Sequence, residues 1–244
     1  MKGKRLGLAL LLAGLLQGQA YAQDLMGSIT NANLMTNFHN ASGMVSSTMA
    51  DAVNQPEPPP AASTPAAPLR FEAAPDRQTL ARVHEEILAT VAHDPAAHAV
   101  VQEALESGAM NREFQNLLRQ SDLDPEDLAD VLTAYVLLMW LIVNEQLDGP
   151  TDPAAIQAAR DQFSPLFRAD PALQQLDSTQ RAAEFERLAS FSVLGIAAYM
   201  HHRNENDRES LRQLQDAINE GMRSSGGLDL RTLELTSTGL RPRG

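Results

Sequence analysis

The chain has 244 residues, and its 31 acidic against 19 basic residues give a net charge of −12. Such a chain lacks the clustered positive charge that phosphate backbones and anionic membrane surfaces attract, so no nucleic-acid partner is expected. There is no cysteine, which excludes a disulfide scaffold, thiolate metal sites and cysteine nucleophiles and leaves a packed core as the source of stability.

The N-terminus reads as an export signal. MKGKR supplies positive charge, Leu6 to Leu16 is an apolar core too short to span a bilayer, and small residues at Ala20 and Ala22 suit a signal peptidase. Cleavage is expected before Gln23, giving a signal peptide over 1–22 and a periplasmic or secreted product. No cysteine follows the apolar core, so lipid attachment at a new N-terminal cysteine is chemically impossible. Losing Lys2, Lys4 and Arg5 takes the basic count from 19 to 16 and the net charge from −12 to −15, and every remaining basic residue is arginine.

Residues 23–54 carry no Lys or Arg and are rich in Asn, Ser, Thr and Met. They read as a weakly ordered arm, with Leu34, Met35 and Phe38 enough for one and a half helical turns. Residues 55–74 form a Pro/Ala-rich linker. Six prolines between Gln55 and Arg70 remove backbone donors and favour an extended, solvated chain.

Residues 75–240 read as one helical domain. Leu80, Val83, Ile87, Leu88 and Val91 recur at three and four and make one apolar stripe. Ala97, Val100, Val101, Ala104 and Leu105 mark a second helix, and Phe114, Leu117 and Leu118 a short third. Ile156, Phe163, Leu166 and Phe167 mark another, and Leu211, Leu214, Ile218 and Met222 the last. Asp94-Pro95, Asp124-Pro125, Asp152-Pro153 and Asp170-Pro171 each place a capping carboxylate before a proline, which suits the first helical position because its missing N–H had no partner there. Asp124, Glu126, Asp127 and Asp130 then fall where the helix dipole favours negative charge, so the cluster reads as capping, not catalysis.

Val131 to Val143 is apolar all round but shorter than the roughly twenty residues that a bilayer core demands. Leu188 to Met200 has the same character, with Ser190, Ser192, Gly195, Ala197 and Ala198 keeping its surface low. Apolar helices that cannot span belong at the centre of a soluble fold. The predicted architecture is therefore all-α: a single bundle of about six to seven helices, two of them central (Asp124–Gln146 and Ser178–His202) and crossing closely at Gly195 against Trp140 or Tyr135. After signal cleavage the protein is not expected to be an integral membrane protein.

The tail carries a separate signal. Gly226 and Gly227 can close the last helix. Leu228, Leu230, Leu233 and Leu235 then arrive at spacings of two, three and two, which suits a short extended piece leading into a single turn. Leu228 to Leu235 is expected to fold back as a latch, with Arg241 to Gly244 loose.

Little of the chain suggests chemistry. His84-Glu85-Glu86 begins like a zinc-protease helix, but the second histidine would fall at Leu88. His84, His93 and His98 would meet at a metal only if the first two helices formed a suitable hairpin. His201 and His202 end the second central helix, where a positive imidazole would meet the negative dipole end. Ser190 and Ser192 lie inside a helix, a poor place for a nucleophile. Phosphate-cradling glycine loops, nucleotide fingerprints and the G-x-S-x-G motif are absent. No catalytic, cofactor-binding or metal residue is assigned.

Two stretches, DLADVLTAYVLLMWLIV (Asp127 to Val143) and GLDLRTLELTSTGL (Gly227 to Leu240), resemble an exported bacterial helical family, domain of unknown function 6683. The matching residues are Asp130, Ala134, Tyr135 and Trp140, then Leu228, Asp229, Leu230, Leu235 and Thr236. The resemblance implies an exported helical fold and no activity. The expected function is a non-enzymatic binding or structural module that engages an envelope or extracellular protein. The alternative is a carrier of a lipid or fatty acid in a cavity near Met139, Met200 and Met222.

Overall fold

A computed structural model describes residues 48–54, 67–72, 75–147, 149 and 151–244. The expected signal peptide, its expected cleavage site and the proline-rich body of the linker lie outside the described residues. The described elements are α1 (Thr48–Asn54), α2 (Arg77–Ala89), α3 (Pro95–Glu106), α4 (Ala109–Gln120), α5 (Leu128–Val143), α6 (Pro153–Ala169), α7 (Pro171–Gln175), α8 (Ser178–Asn204) and α9 (Arg208–Gly226). A 3-10 turn at Leu230–Thr232 and a hairpin of β1 (Leu233–Thr236) and β2 (Gly239–Pro242) complete the chain.

Two helices are central, as the all-round apolar runs predict. Every residue of α5 is buried, and its long partner α8 lies against it, buried through most of the stretch from Ala182 to His202. The α6 helix packs on α5, α2 and α4 pack on α8, and α9 packs on both central helices. Among the described residues, no helix is long and apolar enough to cross a membrane.

Three of the four Asp-Pro pairs open helices: Asp94, Asp152 and Asp170 each accept a backbone N–H from the first turn. The fourth does not. The N-cap of α5 is Asp127, which accepts from Ala129 N, so the helix begins after Asp127 and not at Asp124. The backbone there is occupied otherwise. Phe71 N donates to Glu126 O at 3.1 Å and Leu128 N donates to Leu69 O at 3.0 Å, which pairs the chain around Arg70 antiparallel to Asp127. Asp124 closes a local turn through Glu126 N at 3.0 Å. At the other end, Asn144 caps α5 and Glu145 turns left-handed at φ 53°, so the helix stops short of Gln146.

The flanks are more ordered than their composition suggests. Thr48–Asn54, within the arm read as weakly ordered, is helical, and Met49, Ala52 and Val53 are buried against α6, α9 and β2. Gly227, left-handed at φ 67°, ends α9 beside α1, where a Cβ would approach Ala50 Cβ to 3.1 Å. Leu69 and Phe71, inside the span assigned to the linker, are buried as well.

The tail does fold back on the bundle: Leu228, Leu230, Leu233 and Leu240 are buried and Leu235 half-buried. Its internal order differs from the expectation, because the turn comes first and the extended piece second. Leu235 faces Leu240 across an antiparallel hairpin. Thr236 Oγ1 ties the connection by donating to Gly239 O at 2.9 Å. Arg241 and Pro242 belong to β2, and Arg243 donates from N to Thr232 O at 2.7 Å and from Nε to Leu233 O at 2.9 Å. The segment read as loose is therefore held almost to its end.

Candidate functional site

Two groups of buried carboxylates differ in their partners: one is paired with arginine, the other with a histidine and an amide. Asp130, fully buried on α5, binds Arg160 Nη2 at 2.6 Å and Nε at 2.9 Å, and also receives Ser164 Oγ at 3.2 Å and Asp124 N at 2.9 Å. It lies in the first turn of α5, as expected for the helix dipole, and adds a buried ion pair that the expectation did not include. The bond to Asp130 raises the Arg160 pKa above its ordinary value. Asp127 caps Ala129 and pairs with Arg168 at 2.7 Å. Four donors reach Asp130 and two reach Asp127, and each carboxylate holds an arginine counter-charge, as a structural role requires.

Glu186 is different. It lies on α8 and is 5% exposed, between Phe185 and Leu188 in a buried run. His84 Nε2 of α2 lies 3.1 Å from Oε1, and Asn111 Nδ2 of α4 donates to Oε2. Asn111 Oδ1 is buried and has no hydrogen-bond partner. A carboxylate offers about four lone-pair positions, so two remain on Glu186 beside the open amide oxygen. Burying such a group is costly, and a hydrophobic residue of similar size would stabilise the bundle as well or better.

These residues line a cleft of about 450 Å³. Phe71, Leu80, Leu105 and Phe185 form apolar walls, and the ring centroids of Phe71 and Phe185 are 5.5 Å apart. Glu72, Glu106 and Glu126 stand exposed at the edge. The Ser107-Gly108 turn closes one side. Gly108 adopts φ 66°, which lets α3 end and α4 begin at once. The chain around Arg70 is held in place by its pairing with Asp127, which sets Phe71 against Phe185.

The sequence candidates fare unevenly. His84 enters the cleft as a partner of Glu186, not of a metal. His93 is exposed after α2 and His98 half-buried on α3, and no group of three metal-ligating side chains exists among the described residues. His202 does not meet the dipole as a cation: burial pushes its pKa below the ordinary value, and the neighbouring His201 adds to this. Ser190 and Ser192 are buried inside α8. Met139 and Met222 are packed in the core and Met200 is half-buried, and no residue of α5 lines the cleft. Sequence reasoning missed Glu186 and Asn111. A signal existed for the first: Glu186 lies four residues from both Ala182 and Ser190, on the inward face of an otherwise small and apolar run.

The family of unknown function DUF6683 matches residues 1–243. The chain belongs to that family. No curated protein and no solved structure matches it. In this DUF6683 member the motif residues join α5 to the tail. Trp140 Nε1 donates to Leu233 O at 3.1 Å, so the indole is engaged by the tail. Asn144 Nδ2 donates to Leu230 O at 3.1 Å. Asp229 caps the 3-10 turn through Arg231 N and accepts from Asn219 Nδ2 at 3.0 Å. Those motif residues account for the latch, and Glu186, His84 and Asn111 form a separate constellation.

Proposed function

We propose that this DUF6683 chain is an exported, non-enzymatic binding module of the cell envelope and that the cleft between α2, α4 and α8 is its ligand site. The observation that carries the reading is the Glu186 carboxylate, buried beside His84 and Asn111 in the lining of a cleft, with Asn111 Oδ1 left unpartnered next to it. A cleft with apolar walls and a few convergent polar groups is the common form of a ligand site. Binding is favoured over catalysis because the hydroxyl in the lining, Ser107 Oγ, donates to Ala104 O and is not presented to His84. A fatty-acid cargo suits the cleft poorly, since its head group would meet Glu186 and the edge carboxylates. The leader and the proline-rich linker support an exported domain on a tether.

The test is a two-dimensional amide NMR screen of small soluble fragments of mixed charge. Perturbations should cluster at His84, Asn111, Phe185 and Glu186. Hits confined to other faces, or no hits, would reject the cleft as a ligand site.

A further inference from the structure

We infer that the cleft recognises a primary ammonium group carried on an apolar body, an inference that rests on the cleft being a ligand site. The lining contains four carboxylates, those of Glu72, Glu106, Glu126 and Glu186, and no arginine. The chain has no lysine beyond Lys4. Two guanidinium groups stand beside the lining: Arg112 Nη1 donates to Ser107 O, and Arg70 binds Asp124 at 2.7 Å and Glu126 at 3.9 Å. Carboxylates still outnumber them at the edge, which leaves it anionic and concentrates cations.

The floor defines the ligand more closely. An ionised carboxylate can only accept, so in that form Glu186 would take the His84 contact from Nε2–H, with Asn111 as a second donor. Two lone-pair positions on Glu186 and the buried Asn111 Oδ1 are then open. All of these are acceptors. A primary ammonium presents three N–H donors and satisfies all of them, whereas an alcohol presents one and a carboxylate none. The bonds to Glu186 would be charge-assisted. The apolar walls, with the Phe71 and Phe185 rings tilted against each other at 5.5 Å, take up an aromatic or aliphatic body and favour a nearby cation. A free amine and the N-terminus of a peptide beginning with a large apolar residue share this chemistry.

The test titrates the full chain, as produced in cells, with 2-phenylethylamine, 2-phenylethanol and 3-phenylpropionate, followed by calorimetry and amide NMR. Phe-Gly-Gly and its N-acetyl form make up the peptide arm. The amine should perturb His84, Asn111 and Phe185, bind at least ~10-fold more tightly than the alcohol, as one charge-assisted hydrogen bond allows, and leave the propionate without effect. Binding of Phe-Gly-Gly but not of its acetylated form would extend the site to peptide N-termini. Preference for Phe-Gly-Gly over the free amine would assign that source. Glu186→Gln should weaken amine binding by roughly 10-fold or more. If that variant fails to fold, Glu72→Gln with Glu106→Gln, both exposed, should weaken binding several-fold and flatten its salt dependence. Equal binding of amine and alcohol would overturn the ammonium assignment while leaving the cleft reading intact. Indifference to every variant, or silence from all the amines, would overturn it too. The cleft reading itself falls only if the mixed fragment screen is also silent there.

Discussion

Gln162 on α6 joins three parts of the chain that are far apart in sequence. Its Nε2 donates to Leu240 O at 3.0 Å and to Ala52 O at 3.3 Å, and its Oε1 accepts from Leu240 N at 2.9 Å. Both ends of the described chain, α1 and the hairpin, therefore depend on one amide that is 4% exposed. Gln162→Leu keeps the volume and removes all three bonds, leaving the Leu240 N–H and two carbonyls unpaired. Three buried groups left unsatisfied at about 1–3 kcal/mol each, set against about 1–2 kcal/mol from the added apolar surface, give a net loss of about 4–5 kcal/mol at mid-range. With a urea slope of about 2 kcal/mol/M, the unfolding midpoint should then fall by about 2 M. If the hairpin detaches without the bundle unfolding, hydrogen exchange in 228–243 should accelerate while the midpoint moves less. Gly239→Ala supplies a second arm. Gly239 has φ 99°, and an added Cβ would collide with the Gln162 amide, so this variant should also loosen the tail. The two substitutions should be less than additive, because both release the same contact between α6 and the hairpin. An unchanged midpoint together with unchanged exchange in the tail would refute the clamp.

Arg160→Met should cost roughly 2–4 kcal/mol by urea unfolding, because it strands the fully buried Asp130 without its main counter-charge. The pH dependence of stability should carry a signature of His202. Its native pKa lies below the ordinary 6.5, with burial the main cause, so the unfolded chain binds the proton more readily. That contribution is present above about pH 6.5 and is lost as pH falls through the depressed native value. His202→Phe should flatten the unfolding midpoint between pH 7 and 5 relative to the parent. Trp140 should show blue-shifted emission with weak acrylamide quenching, and Trp140→Ala should lower stability by about 3–5 kcal/mol in urea unfolding. Exported protein should have an intact mass that begins at Gln23, and a mass retaining 1–22 would contradict signal cleavage.

Periodicity made the central architecture legible without coordinates. A thirteen-residue run with no polar face can only be buried or in lipid, and its length forbids lipid, so the position of Val131 to Val143 at the core follows from composition alone. The caps at Asp94, Asp152 and Asp170 were equally local, because each uses its own side chain on its own first turn. Where distant backbone intervened, local rules failed. Asp124-Pro125 has the signature of a helix start, yet pairing with Leu69 and Phe71 claims that backbone and moves the start to Asp127. Arg241 and Pro242 look like a loose end until Leu240 meets Gln162.

The candidate site was the least legible part, for the same reason. His84, Asn111 and Glu186 are separated by 102 and 75 residues from partner to partner and share no spacing that a pattern could detect. His84 and Asn111 look ordinary on their own helices, and Glu186 stands out only as a charge on an inward face. Composition and local periodicity determine which faces are apolar, how long each helix runs and that a core must exist, because those depend on neighbours in sequence. Only the packing of α2 and α4 on α8 decides that a glutamate on an inward face meets a histidine and an amide beside open space, because a hydrogen bond forms between surfaces and not between sequence positions.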